Sequence, residues 1–90
     1  MAFDDIRRRV AAALLGLAEE FGEPTPDQGT RIRLRLSQAT LAALVAASRE
    51  NVNRALSTFV RAGTISQQGG HFHLHDRAAL ERAAADAELV

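Results

Sequence analysis

Ninety residues, 47% hydrophobic and 24% charged, describe one small ordered domain with no room for a second. The absence of cysteine excludes disulfides, thiolate metal centres, iron–sulfur clusters and cysteine nucleophiles, and it suits a reducing cytoplasm. The formal net charge of zero hides a segregation: residues 1–27 carry three Arg against six acids, residues 28–82 eight Arg against three, and Asp86 and Glu88 follow.

Phe3, Ile6, Val10, Leu14, Leu17 and Phe21 recur every three or four residues, which predicts an amphipathic leading helix within residues 1–22. Gly22, Pro24 and Pro26 stop it. The longest apolar run, Val10 to Leu15, is too short to span a bilayer, so no membrane partner is expected. Residues 22–30 read as a loop. Arg31-Ile32-Arg33-Leu34-Arg35-Leu36 then alternates with period two and predicts a strand over residues 31–36. Its arginine face reads as a solvated sheet edge rather than a strip lying along DNA.

Residues 37–62 divide into two helices. Ser37 is a good N-cap for a helix carrying Leu41, Leu44 and Val45, and Ser48 supplies a second cap eleven residues later. The second helix continues through Leu56, Phe59 and Val60 to Gly63, a C-terminal stop. Residues 64–75 form a hairpin around Gln68-Gly69-Gly70, and Asp76 caps a final helix over residues 76–88. A mainly α fold with a small β-hairpin or sheet, in this order, has the layout of a winged helix-turn-helix, an α+β class.

At about 100° per residue, Arg49, Asn53, Ser57, Glu50, Arg61 and Arg54 share one arc of the second helix. Ala62, Ala55, Phe59, Val52, Leu56 and Val60 share the other. An Arg fork matches the two acceptors of guanine and a carboxylate accepts from the cytosine amino group, so the polar arc has the chemistry to read base edges. A basic middle between acidic ends suits a polyanion meeting one surface, because salt screens distant charge over about 8–10 Å.

The stretch from Leu36 to Leu56, with Ser48-Arg49-Glu50-Asn51-Val52-Asn53-Arg54 as its most specific part, resembles the helix-turn-helix of Crp/Fnr transcription regulators. Gly63-Thr64-Ile65, the hairpin and Asp76-Arg77 resemble their wing and final helix. The resemblance implies a bacterial, cytoplasmic regulator that binds double-stranded DNA with helix 49–62 in the major groove. It implies base contacts from Arg49, Glu50 and Arg54, with Asn53 on the same face, and phosphate contacts from Ser37, Gln38, Ser48 and Asn51. It further implies a dimer in the full-length protein and leaves RNA polymerase open as a second partner. Two departures stand out. Ala46 occupies a turn position where the family usually has Gly, and the family's N-terminal sensor domain is not within these residues.

His71, His73 and His75 share one strand face, which invites a zinc reading. Same-face neighbours stand about 6–7 Å apart, so all three converging on one ion is awkward, and no metal is assigned. They read instead as exposed wing side chains opposite a buried face of Phe72 and Leu74, positioned to favour DNA phosphates when protonated. No catalytic constellation and no cofactor motif emerges, so an enzyme is not expected. The rival class is a winged-helix module for protein interaction or dimerisation without DNA binding.

Overall fold

The computed structural model describes residues 2–85. The elements are α1 (Phe3–Phe21), β1 (Gly22–Pro24), β2 (Thr30–Ile32), α2 (Gln38–Val45), α3 (Arg49–Arg61), β3 (Ile65–Gln68), β4 (His71–Leu74) and α4 (Arg77–Ala85). An amphipathic helix must bury its apolar stripe, and α1 turns Ile6, Val10, Ala11, Leu14 and Ala18 inward against α2, α3 and α4. The same core takes Leu41 and Val45 from α2, Val52, Leu56 and Phe59 from α3, Ile32, Ile65, Phe72 and Leu74 from the sheet, and Leu80 from α4. These helices and the antiparallel sheet make the α+β winged helix-turn-helix that the sequence predicts.

The sheet corrects the sequence reading in three places. Its order is β1-β2-β4-β3, all antiparallel. The strand predicted over residues 31–36 is confined to Thr30–Ile32. Residues 22–30, read as a loop, contribute β1, which pairs Gly22 with Ile32 and Pro24 with Thr30. Glycine and proline weaken a strand by local propensity, yet an edge position tolerates them because one side of the strand needs no hydrogen bonds. β2 is therefore interior, between β1 and β4, and Arg31, the one arginine within it, does not guard an edge. Arg31 Nη1 donates to Glu23 Oε1 at 2.8 Å and Arg33 Nε to the Phe21 carbonyl at 3.2 Å, while Arg35 lies against Gly70.

The wing turns at Gly69 and Gly70, with φ of 60° and 83°, the paired positive φ of the hairpin turn whose twist matches its strands. Asp76 Oδ1 accepts from the Ala79 N–H at 3.0 Å and caps α4 as expected. The last turn predicted to residue 88, with Asp86 and Glu88, lies outside the described residues.

The link between α2 and α3 is closed by a left-handed residue, Ala46, at φ 55° and ψ 48°. Ala47 N–H donates to the Ala42 carbonyl at 3.1 Å and Ala46 N–H to that of Ala43 at 3.4 Å, the pattern of a Schellman stop. A Cβ in this conformation costs about 1 kcal/mol. Ala46→Gly should therefore stabilise the domain by roughly 0.5–1 kcal/mol, less the extra freedom that glycine gives the unfolded chain. Thermal unfolding checks this; a lower Tm for the variant would refute it.

Candidate nucleic-acid interface

The start of α2, α3 and the wing each contribute polar side chains to one groove: Gln38, then Asn53, Ser57 and Arg61, then Gln67. On α3, Val52, Ala55, Leu56 and Phe59 are buried, while Arg49, Glu50, Asn53 and Arg54 are exposed. The division follows the helical period, with one correction. Val60, assigned to the apolar arc, is 47% exposed and lines the groove that the wing residues Gln67 and Phe72 also line. Leu44 of α2 is likewise exposed, at 58%.

Both helix starts are built for hydrogen bonding. Ser37 Oγ accepts from the Thr40 N–H and Ser48 Oγ from the Asn51 N–H, each at 3.1 Å. Ser37 Oγ also shares a 3.0 Å hydrogen bond with Thr40 Oγ1, whereas Ser48, used as a cap, keeps its hydroxyl proton to donate outward, and the free N–H groups of the first turn add positive potential. Gln38 Nε2 donates to Asn53 Oδ1 at 3.0 Å, joining the start of α2 to the middle of α3. That bond fixes which way both amides face, since it leaves the Asn53 amino group as the outward donor. Thus the structure joins Gln38 to Asn53 and, separately, Asn51 to Ser48 and Arg54, while Arg49, Glu50, Asn53 and Arg54 stand exposed on α3.

Between α3 and the wing runs a groove of about 380 Å³. Leu56, Val60 and Phe72 form its apolar part, and Gln38, Asn53, Ser57, Arg61 and Gln67 its polar part. Ser57 and Arg61 lie on the polar arc that periodicity defines. Gln67 is the groove residue that sequence reasoning missed, for its only signal was its nearness to the Gly69-Gly70 turn.

The histidines depart in part from the expectation that all three are exposed on the wing, for His71 and His73 are half-buried and only His75 is exposed. His71 Nδ1 meets the Ile32 carbonyl at 3.1 Å. His75 stands in a chain, with Ser66 Oγ 2.7 Å from its Nε2 and Asp27 Oδ2 3.2 Å from its Nδ1. The order hydroxyl, imidazole, carboxylate is the order of a nucleophilic triad, and sequence reasoning missed it because Asp27 and His75 are far apart in the chain. Here the chain is exposed to water on a strand surface and acts as a brace between the β1–β2 turn and the wing. Among the described residues, no group of three or more His, Cys, Asp or Glu is placed to hold a metal ion.

The Thr25 hydroxyl, the Gly29 N–H and His75 hold the Asp27 carboxyl below its usual range. A depressed carboxyl contributes stability above its unfolded pKa and loses it as pH falls through the folded value, so the effect fades below about pH 4. Asp27→Asn should accordingly melt lower than the parent chain near pH 6, with the gap closing towards pH 2.5. A gap that does not narrow on acidification would count against this account.

The family described as the Crp-like helix-turn-helix domain matches residues 8–83. The "CRP-like cAMP-activated global transcriptional regulator" of Mycobacterium tuberculosis is 41% identical over 85 residues, which cover 93% of this chain and 37% of that protein. Among solved structures, the "CO-dependent transcription factor CooA" from Carboxydothermus hydrogenoformans, in an imidazole-bound form, superposes with a TM-score of 0.83 at 26% identity. The match covers 91% of this chain and 38% of that one. The "Catabolite Activator Protein" of Thermus thermophilus gives 0.74 at 30% identity, covering 93% and 36%. The chain thus spans little more than a third of the length of the relatives it matches.

Proposed function

This chain belongs to the Crp-like helix-turn-helix family, and from that membership we propose that it is the DNA-binding domain of a bacterial transcription regulator, reading specific double-stranded sequences with α3 in the major groove. The supporting observation is the exposed row of Arg49, Glu50, Asn53 and Arg54 beside two serine-capped helix starts. Arg49 and Arg54 donate to guanine, or to thymine O4, and Glu50 accepts from cytosine. Ser37, Gln38, Ser48 and Asn51 hold the flanking phosphates and set the register.

In the whole regulator this reading implies a dimer, each copy taking one half-site, so a single copy binds weakly. RNA polymerase would be a further partner of the assembled regulator on its promoter. No helix among the described residues is long and apolar enough to cross a membrane, in keeping with a cytoplasmic site of action.

Selection from a random duplex library tests the proposal, followed by titration of the winning sequence between about 50 and 200 mM salt. Several phosphate contacts predict a loss of at least tenfold over that range through counterion release. No enriched sequence, or affinity indifferent to salt, would instead favour the protein-docking reading, for which the exposed Leu44 offers a contact.

A further inference from the structure

Helices α1 and α3 exchange a reciprocal pair of arginine–phenylalanine contacts. Arg7 of α1 places Cζ over the ring of Phe59 of α3, 5.8 Å from its centroid. Arg54 of α3 places Cζ over the ring of Phe3 of α1, at 4.4 Å. Phe3 is partly buried against the core, so its ring is fixed by the same packing that joins the two helices. Arg54 itself remains exposed, and its hydrogen bond to Asn51 Oδ1 is long, at 3.5 Å.

A guanidinium covered on its face keeps its N–H donors free, because those lie in the plane of the group. The ring thus takes up rotamer freedom that a long, exposed arginine otherwise loses on binding, and it does so without consuming the donors a base would accept. We propose that Phe3 is a positioning residue for base readout: it holds the Arg54 guanidinium in place before DNA arrives, so that the first turn of α1 sets how strictly one base position is read. This inference rests on the proposed role of Arg54 and adds a residue that touches no DNA.

The test uses the whole chain and the duplex selected by it. Phe3→Leu keeps apolar bulk and removes the π face, and should weaken binding to the selected duplex about three- to tenfold while leaving random DNA unaffected. It should relax preference at the same base position that Arg54→Ala relaxes, and add no further loss in an Arg54→Ala background. Phe3→Tyr, which restores the face, should restore affinity and preference. Equal losses for Phe3→Leu with and without Arg54, or tighter binding by Phe3→Leu, would overturn the inference and leave the DNA-binding reading standing. A chain that selects no sequence would overturn both. Since Phe3→Leu also touches the core, a second measurement needs no variant: the Arg54 side-chain protons of the free chain should show an upfield ring-current shift by NMR, and unshifted resonances would overturn the proposal.

Discussion

Replacing Arg49 with alanine is expected to remove about 1–3 kcal/mol of binding to the selected duplex and to relax preference at one base pair, while binding to random DNA changes little. The expectation follows from its place on the helix. Arg49 is the first residue of α3, exposed, one position after the Ser48 cap. A cation there faces the positive end of the helix dipole, which is unfavourable by a few tenths of a kcal/mol. The fold therefore gains nothing from this side chain. Arg49→Ala should leave Tm unchanged or slightly higher, so a binding loss is not a folding loss. Glu50 has the opposite character: its charge suits the same helix end, so Glu50→Ala combines loss of readout with a small loss of stability. Equal losses for Arg49→Ala on selected and random duplexes would assign Arg49 to phosphate attraction instead.

The largest effect on stability is expected from Phe72→Ala. Phe72 is 1% exposed, on β4, where its ring meets the helices and forms part of the floor of the groove beside α3. Removing a buried ring costs about 3–5 kcal/mol in lost transfer energy and residual cavity. A domain of this size has a total stability of roughly 5–13 kcal/mol, so the variant retains only part of its margin. At about 4–8 °C per kcal/mol, Tm should fall by at least ~12 °C. His73→Ala, the next residue on the strand and only half-buried, should stay within about 0.5 kcal/mol of the parent. Similar losses at the two positions would refute the inside–outside alternation of the wing.

What the sequence determined by itself is what travels along a single segment. The apolar stripe of α1, the serine caps at 37 and 48, the stop at Gly63 and the Gly69-Gly70 turn are local signals, each expressed within a few residues, and each is found in the structure. The motif from Ser48 to Arg54 is likewise contiguous, so family membership was legible without coordinates. The polar arc of α3 was legible too, since helical period alone puts Arg49, Glu50, Asn53 and Arg54 on one side.

The tertiary structure decided which segments meet. A residue's propensity does not encode its neighbour across a sheet: Gly22–Pro24 read as loop until Thr30–Ile32 came to lie beside it, and that pairing made β2 interior and turned Arg31 from an edge guard into a partner of Glu23. Periodicity gives the direction a side chain points but not whether another element arrives to cover it, and so Val60, on the apolar arc of α3, stands exposed. The same reason hid the contacts that shape the site. Gln38 with Asn53, Asp27 with His75, and Phe3 with Arg54 are pairs far apart in the chain, brought together only because α1, α2, α3 and the sheet close around one core. The sequence supplied the groups that can read DNA, and packing settled how they are held.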